Sequence, residues 1–475
     1  MNLPALLDIA PQSVPPFDPG FRPIGLAFER YGEAVRRSAG RVPLRIAVER
    51  ENGFISAFET EILPDGVETT ATGLIVERLV KFLLWARGGW RVFLHGPSSV
   101  TGLIRTHYAA GGPRGFDVQL MSGVYERDFE VRVVGASEVP QANESRAPLG
   151  GHLDGCRIGF DLGASDYKIA AVRDGKLVFS EEIPWAPSEQ TDPEYHERHI
   201  RAGLKKAAEH LPRVDAIGGS AAGIYIDNQV RIASLFRGLS PEAFEARTKD
   251  MFRRLAREWN VPFEVTNDGE VTALAGTLAL EEKAMLGVAM GSSQAAGFLA
   301  SDGHLPGWLD ELAFVPVDIN PAAVLDEWSG DRGVGATYFS QQAVNKLALA
   351  AGFMFPADMR LPERLKRVQE MAEGGDPRAL GIFDAIGVYL GYTIPWYRVF
   401  YDFRNLLVLG RVMSGAGGNR IADRAVEVLR TEFPATHDRV KVHLVDERIR
   451  RVGQAFAAAT LPELRPAGAR RGDSP

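Results

Sequence analysis

The sequence predicts an α/β protein of several domains, on three observations. Its 475 residues exceed the roughly 250–300 residues at which a single hydrophobic core stops growing. Hydrophobic residues make up 45% of the chain and charged residues 24%, which is the balance of an ordinary soluble globular protein. Short alternating apolar runs, typical of strands, are interleaved with amphipathic stretches, typical of helices. We therefore expect two to four domains.

Composition excludes several classes of function. A net charge of −7 provides no large basic surface for nucleic acid. Cys156 is the only cysteine, which excludes an intrachain disulfide and a zinc site built from several thiolates. The longest apolar run, residues 74–86, is interrupted by three charged residues and is shorter than the ~20 residues of a membrane span. No signal peptide is recognised at the N-terminus. We expect a cytoplasmic protein without nucleic-acid or membrane partners.

Residues 156–180 predict three strands joined by two tight turns, the second of which is an Asp-Gly pair between apolar runs. The first turn is built on Asp161, Gly163 and Ser165. A carboxylate at the end of a buried strand, followed by small residues with free N–H groups and a hydroxyl, suits a metal-bound phosphate. The alternative is an ordinary hairpin with a polar tip.

Two later stretches continue this pattern. Residues 266–270 form a polar corner between a predicted strand at 261–265 and a predicted helix at 271–280. A carboxylate at a helix N-terminus is stabilised there and remains free to face a cleft, although Asn267 or Asp268 could equally be a helix cap. Residues 286–299 again predict strand, small-residue turn and strand, which offers a second set of backbone N–H groups for phosphate.

The N-terminal part predicts a separate unit. Residues 1–40 open with a proline-rich stretch that we interpret as an extended arm, and residues 136–155 are interpreted as a linker. Residues 41–135 predict a small α/β domain with a helix at 70–86 and strands at 44–48, 54–59, 91–95, 116–121 and 129–134. Its role stays open between covering a substrate cleft, dimerisation and binding a second ligand.

The motifs DLGAS at 161–165, NDGE at 267–270 and GSSQAAG at 291–297 together resemble the ROK family of sugar kinases and sugar-responsive repressors. The resemblance runs from about residue 156 to 460 and includes GQAFA at 453–457. It implies an actin/hexokinase-like, ribonuclease H-like fold with two lobes, at 156–285 and 286–462, joined by a hinge. Residues 463–475 are expected to be a disordered tail.

The resemblance also implies roles for single residues. Asp268 matches the catalytic base that takes a proton from the attacking sugar hydroxyl, Asn267 matches a sugar contact, and Asp161 would hold Mg²⁺ through water. Further implied substrate contacts are Glu311, Gly223 and Phe314. The residues implied in holding the phosphates and the nucleotide, ATP, are Gly163, Ser165, Lys168, Gly291, Ser292, Gly410, Gly415 and Gly417. The expected assembly is a homodimer.

The departures from the family pattern bear on specificity. The Gly-Glu-x-Gly-His segment of the family is replaced here by residues 310–314, in which Glu311 is kept and the histidine is Phe314. Further on, the family's cysteine is Val334, so its structural zinc is not expected, and its sugar-binding glutamate is Ala336. A buried hydroxyl without its partner costs about 1–3 kcal/mol, so plain glucose is disfavoured. A polyol, or a sugar with a different hydroxyl pattern or an apolar substituent, is favoured.

The sequence thus predicts an ATP-dependent kinase that phosphorylates a hydroxyl of a sugar or polyol. One alternative is a non-catalytic, ROK-like ligand-binding protein, indicated by Phe314, Ala336 and the replacement of the nucleotide glycine triplet by Gly410-Arg411-Val412. A less favoured alternative is a sugar-responsive transcription regulator, because residues 42–135 predict strands and an amphipathic helix rather than a basic helix-turn-helix.

Overall fold

The computed structural model describes residues 3–144, 150–445 and 447–464, and it confirms the α/β class. The predicted tail lies outside the described residues from residue 465 onward. The helices are α1 (Ile24–Arg37), α2 (Thr69–Arg87), α3 (Ser98–His107), α4 (Gly115–Tyr125), α5 (Pro193–Ala208), α6 (Pro241–Ala243), α7 (Met251–Trp259), α8 (Asp268–Leu280), α9 (Gln341–Ala350), α10 (Leu361–Glu373), α11 (Pro377–Tyr397), α12 (Ala416–Glu432), α13 (Pro434–His437) and α14 (Glu447–Ala459).

The strands form two-, four- and five-stranded sheets. They are β1 (Val42–Glu49), β2 (Ile55–Ile62), β3 (Arg91–His95), β4 (Glu130–Val133), β5 (Cys156–Leu162), β6 (Asp166–Arg173), β7 (Lys176–Pro184), β8 (Ala216–Ala221), β9 (Ile224–Ile226), β10 (Gln229–Ile232), β11 (Phe263–Asn267), β12 (Met285–Met290), β13 (Gln294–Leu299), β14 (Asn405–Leu409) and β15 (Lys441–Leu444). None of the described helices combines the length and the apolar character needed to cross a bilayer.

The chain divides into two compact units, each built from three segments. The first unit contains Met1–Ser145, Val288–Ala296 and Gly307–Leu444, and the second contains Arg146–Gly287, Gly297–Pro306 and Val445–Pro475. Strands β12 and β13 each run from one unit into the other. The domain boundaries that the sequence suggested stay a prediction.

The second unit is built on a five-stranded sheet in the order β11-β8-β5-β6-β7. β5, β6 and β7 are joined as antiparallel hairpins, as the two predicted turns require, whereas β8 and β11 run parallel to β5 on its other side. Helix α14 closes one face at very short range. A Cβ on Gly159 or Gly218 would lie 1.8 or 1.7 Å from the carbonyl oxygens of Ala455 and Ala458, so only glycine allows this packing.

The first unit contains the sheet β2-β1-β3-β4 and most of the sheet β13-β12-β14-β15. Helix α2 is buried almost all round, including its charged residues, and α11 is likewise buried along most of its length. The N-terminal arm lies against this unit: the Ser13 N–H donates to Tyr392 Oη at 3.1 Å, and the Arg22 N–H donates to Asp318 Oδ1 at 2.9 Å.

Two details differ from the sequence-based expectation. The strand predicted at 116–121 is wrong, because these residues belong to helix α4. Its buried residues Asp117, Met121, Val124 and Tyr125 follow helical spacing, and Asp117 is a buried residue of a type that the sequence pattern assigns to solvent. The segment interpreted as an arm also contains helix α1, which begins immediately after Pro23.

Candidate active site

Two predicted site residues lie at the carboxyl ends of neighbouring strands in the second unit. Asp161 is near the end of β5, where the strand register pairs it with Ser220 of β8. Asp268 begins helix α8 directly after β11, whose last residue is paired with the last residue of β8. Because β5, β8 and β11 are parallel, their carboxyl ends share one edge of the sheet. The topology therefore brings the two aspartates to the same edge.

Asp161 is a buried carboxylate, with 7% of its surface exposed. The Ser220 hydroxyl donates to its Oδ1 at 2.7 Å. With the Gln454 amide oriented so that its oxygen accepts from the Thr272 hydroxyl, its nitrogen donates to Asp161 Oδ2 at 2.9 Å. Burial, reinforced by the negative charge of Asp268, raises the pKa of Asp161 to about 6. The Asp161 carboxylate is therefore hydrogen-bonded on both oxygens but forms no ion pair with any described residue.

Asp268 is half-buried at the first turn of α8. Burial raises its pKa, against the opposing effect of its own N–H and that of Gly269 at the helix start. Its charge is also felt by Tyr225, whose phenol pKa is raised by burial and by Asp268. No described residue forms an ion pair with Asp268. A carboxylate of raised pKa at a strand end is suited to accept a proton near neutral pH.

Asn267 is the N-cap of α8, so the capping alternative is confirmed for this residue. Its Oδ1 accepts from the Gly269 N–H at 2.7 Å, and its Nδ2 donates to the Gly223 carbonyl at 2.7 Å. Gly223 has φ +130, and a Cβ there would lie 2.4 Å from the Ile232 carbonyl oxygen. Asn267 and Gly223 therefore fix the corner that carries Asp268, and their contact with a substrate stays a prediction.

The turn between β5 and β6 is stabilised by hydrogen bonds of its own residues with Asp166 and Trp185. The Gly163 N–H donates to the Asp166 carbonyl at 3.0 Å, and the Gly163 carbonyl accepts from Trp185 Nε1 at 2.8 Å. The Ser165 hydroxyl donates to Asp166 Oδ2 at 2.8 Å, and Lys168 is half-exposed with Nζ 4.0 Å from the other oxygen of Asp166. Since the Gly163 N–H is already bonded, phosphate binding by this turn stays a prediction.

The residues implied in nucleotide binding by the first unit lie in two turns. Gly291 and Ser292 form the turn between β12 and β13, where the Gly291 carbonyl accepts from the Gln341 N–H at 2.9 Å. Gly410 has φ +100 and approaches the end of β12 so closely that a Cβ would lie 2.5 Å from the Met290 carbonyl oxygen. The two turns are therefore neighbours within this unit.

Gly415 and Gly417 stand at the start of helix α12. Gly415 has φ +70 and is its N-cap, and a Cβ on Gly417 would lie 2.7 Å from the Phe383 ring of α11. The close packing of α12 against Phe383 therefore requires glycine at position 417, whether or not a nucleotide binds there. The nucleotide contacts expected of Gly291, Ser292, Gly410, Gly415 and Gly417 stay predictions.

Glu311 and Phe314 lie in the first unit, next to helix α2. The Glu311 N–H donates to the Trp85 carbonyl at 3.1 Å. The buried Phe314 ring has its centroid 4.3 Å from that of Trp85, 5.7 Å from Phe116 and 5.1 Å from Trp328. The ring is therefore part of a packed aromatic cluster, and its contact with a substrate stays a prediction.

Sequence reasoning missed Ser220 and Thr272 as partners around Asp161. Ser220 stands in the run AIGGSAAG, where the signal was a polar residue between glycines and alanines on a predicted strand. Gln454 stands in the GQAFA stretch at 453–457, and its hydrogen bond with Asp161 could not be predicted because the two residues are far apart in the chain. The predicted site residues thus fall into two groups. Asp161, Gly163, Ser165, Lys168, Gly223, Asn267 and Asp268 lie in the second unit, and the others lie in the first.

No protein-family model matches the chain, and no curated protein matches it in sequence. Solved structures of ROK-family proteins do resemble it. The ROK hexokinase from Thermus thermophilus is 16% identical, with 64% of this chain and 97% of that chain covered and a TM-score of 0.49. A ROK family glucokinase from Streptomyces griseus, solved with glucose and AMPPNP, is 19% identical, with 64% and 98% covered and a TM-score of 0.46.

A ROK family transcriptional regulator, a homolog of the E. coli MLC protein, is also similar. It is 17% identical, with 65% of this chain and 78% of that chain covered and a TM-score of 0.47. Each likeness covers about two thirds of this chain, and all three TM-scores lie below 0.5.

Proposed function

We propose that the protein is an ATP-dependent kinase that transfers a phosphoryl group to a hydroxyl of a sugar or polyol. One observation carries the proposal: Asp161 and Asp268 stand at the same edge of the second unit's sheet, both with raised pKa and neither in an ion pair among the described residues. Phosphoryl transfer depends mainly on a base, a metal carboxylate and positioning, and this pair supplies the first two.

Asp268 is the proposed base. Its carboxylate would accept the proton of the acceptor hydroxyl, and its raised pKa suits it to hold that proton. Asn267 and Gly223 hold the corner from which Asp268 projects. Any movement of this corner would displace the base, and we therefore assign the two residues a positioning role beside the substrate contact implied by the motif.

Asp161 fits the role of the metal carboxylate. Mg²⁺ keeps most of its water ligands and binds through one or two carboxylates, and a buried carboxylate that forms no ion pair is stabilised by a nearby divalent cation. The hydrogen bonds from Ser220 and Gln454 orient the Asp161 carboxylate for that purpose. When bound, Mg-ATP supplies the phosphoryl group and the cation that neutralises its charge, with Gly291, Ser292, Gly410 and Gly415 as the proposed nucleotide contacts.

The acceptor is proposed to be a sugar or polyol other than plain glucose. This rests on the replacement of two polar family residues by Phe314 and Ala336, both of which are buried in the first unit. The buried aromatic surroundings of Phe314 favour an acceptor that lacks a hydroxyl, or carries an apolar group, at the matching position. A cytoplasmic location and a homodimer stay predictions.

The first experiment measures ADP release from Mg-ATP by the purified protein against a panel of hexoses, amino sugars and polyols. Asp268→Asn is expected to lower kcat by about 10²–10⁴-fold, the usual contribution of a general base, while nucleotide binding stays nearly unchanged. Asp302→Asn is the matched control, because this aspartate lies in the same unit with an exposed side chain. Full activity of Asp268→Asn would refute the assigned mechanism.

A second candidate function is non-catalytic ligand binding. It is favoured by the packing of Phe314 among aromatic rings and by Arg411 and Val412, which stand after Gly410 where the family has glycines. Absence of ADP release across the whole panel, together with no rise of the melting temperature when ATP is added, would favour this candidate over the kinase.

A further inference from the structure

The first unit contains a buried cluster of ionised side chains that the proposed reaction does not use. We call it the ion cluster. It consists of Glu77, Arg78, Lys81, Arg114, Asp117 and Asp331. Five of its members come from the N-terminal part of the chain, on or near helices α2 and α4, and only Asp331 comes from the later part. The cluster therefore joins two segments that are far apart in sequence.

Asp331 is the centre of this connection. Its Oδ2 lies 3.1 Å from Arg78 Nη1, 2.9 Å from Lys81 Nζ and 2.6 Å from Arg114 Nη1. Burial acts to raise the pKa of Asp331, but the charges of Arg78 and Lys81 outweigh burial and lower the pKa to about 2. One carboxylate thus holds three cations, and it stays ionised at any physiological pH.

The other two anions of the ion cluster, Glu77 and Asp117, balance its remaining positive charge. Glu77 contacts Arg78 and Arg114, and Asp117 accepts from Lys81 Nζ at 3.1 Å and from Trp85 Nε1 at 2.7 Å. Three cations therefore face three anions. Burying ions is costly unless the partners are all present in good geometry, so such a cluster tolerates only one relative placement of its members.

Helix α2, which carries three residues of the ion cluster, also contacts the segment that contains the proposed acceptor residues Glu311 and Phe314. The N–H groups of Leu309, Asp310 and Glu311 donate to the last carbonyls of α2, those of Arg87, Ala86 and Trp85, at 3.3, 3.0 and 3.1 Å. These carbonyls have no partner within the helix, so the segment acts as its C-terminal cap. Three residues further on, the Phe314 ring packs against Trp85 of the same helix.

We propose that helix α2 positions the acceptor-binding segment, residues 309–336, and that Asp331 is the positioning residue that locks it in place. The inference rests on the proposed function, because the acceptor roles of Glu311 and Phe314 belong to it. The N-terminal part of the chain is then part of the acceptor site's support. Asp331 acts through the segment and does not touch the reacting atoms.

The test compares two substitutions in the full chain. Asp331→Asn removes the charge at nearly constant shape, and Asp331→Glu keeps it. For Asp331→Asn we expect the acceptor KM to rise by about ten- to a hundredfold while the KM for Mg-ATP is unchanged, because the displaced segment loses contacts with the acceptor and each tenfold corresponds to about 1.4 kcal/mol of binding. Asp331→Glu is expected to recover part of the loss. Glu327→Gln, an exposed residue of the same loop, is the matched control with the same change of charge.

A purely structural role gives a different result. It would lower the yield or the thermal stability of Asp331→Asn and leave both KM values of the folded fraction unchanged, which would overturn the proposal. If Asp331→Asn does not fold, Arg114→Gln replaces it, because this arginine lies at the edge of the cluster with its side chain 13% exposed. An acceptor KM unchanged in Arg114→Gln would equally overturn the proposal.

Hydrogen exchange separates this proposal from the proposed function. In Asp331→Asn the amides of Leu309, Asp310 and Glu311, which cap α2, are expected to exchange faster than in the wild type, whereas amides of the β5–β6 hairpin are unchanged. This readout needs no turnover. If the wild type has no kinase activity but the exchange changes as expected, the proposed function fails and the positioning by α2 stands. Unchanged exchange at these amides would overturn the positioning.

Discussion

Two carboxylates, one in each unit, have pKa values that are shifted in opposite directions. In the second unit Asp161 is buried without an ion-pair partner among the described residues, and its pKa is raised to about 6. In the first unit the side chain of Asp331 is 13% exposed, but three cations surround it and its pKa is lowered to about 2. Burial acts to raise both pKa values, so the three cations account for the difference. Asp161 is available to a proton or a cation, whereas Asp331 holds its charged neighbours in place.

The largest expected effect on stability comes from breaking the ion cluster. Lys81→Met keeps the apolar stem but leaves the Asp117 carboxylate without its lysine, and breaking a buried ion pair in this way costs about 3–5 kcal/mol of unfolding free energy. Lys168→Met in the second unit is the control. Because the Lys168 side chain is half-exposed, this substitution is expected to change the unfolding free energy by about 0.5 kcal/mol or less. Urea unfolding followed by tryptophan fluorescence measures both. Equal losses in the two variants would contradict the comparison.

Asp161→Asn should have the opposite effect on stability. Because ionised Asp161 is disfavoured by its surroundings, and each unit of raised pKa corresponds to about 1.4 kcal/mol, the amide is expected to leave the unfolding free energy at pH 7 unchanged or to raise it by about 1–2 kcal/mol. Turnover should be lost at the same time. A variant that is both inactive and markedly less stable would show that the Asp161 charge supports the fold.

The pH dependence of stability gives a third comparison. Asp161 has a pKa of about 6 when folded and an ordinary value of 3.8, so between these values the folded state holds a proton that the unfolded state has lost. Its contribution to stability is therefore largest below about pH 4 and is lost as the pH rises through 6. Asp331 acts in the other direction: its contribution is present above 3.8 and is lost as the pH falls towards 2.

Unfolding free energies of the wild type and of Asp161→Asn at a series of pH values test this sign. The difference between the two curves should change mainly between about pH 4 and pH 6, and the wild type should gain stability relative to the variant as the pH falls through that window. Parallel curves would mean that the Asp161 pKa is not raised in the folded protein.

The smallest effect is expected at the corner that carries Asp268. Asn267→Ala removes a helix cap, which costs about 1 kcal/mol, and also removes the bond to the Gly223 carbonyl. Asp376→Ala, at the start of α11 in the first unit, removes a cap whose other partner is the neighbouring Arg378 side chain rather than a distant carbonyl, and it is the control. A stability loss no larger than that of Asp376→Ala would indicate that the bond to Gly223 contributes little.

Local patterns allowed much of the second unit to be predicted from the sequence. The β5–β6–β7 hairpins, the capped start of α8 and the β12–β13 turn each depend on residues close together in the chain. Other features depend on residues that only folding brings together, and no local pattern predicts them. They are the strand order and the contacts of Asp161 with Ser220 and Gln454.

The ion cluster shows the same limit more strongly. Glu77, Arg78 and Lys81 of α2 interrupt the apolar run at 74–86 and so argue against a membrane span, but the sequence does not indicate which residues they contact. Their main partner Asp331 lies some 250 residues later in the chain. The same limit explains the wrong strand prediction at α4. Asp117 is buried in the structure because Lys81 and Trp85 donate hydrogen bonds to its carboxylate, and the sequence pattern does not indicate these partners.

Helix α14 has a consequence for how the second unit folds. It covers the glycine face of β5 and β8 and brings Gln454 to Asp161, yet more than 200 residues of chain separate it from either strand. The hairpins of the second unit can form locally, but one side of their sheet has nothing to pack against until α14 docks. We therefore expect the surroundings of Asp161 to be completed late in folding, by a long-range contact.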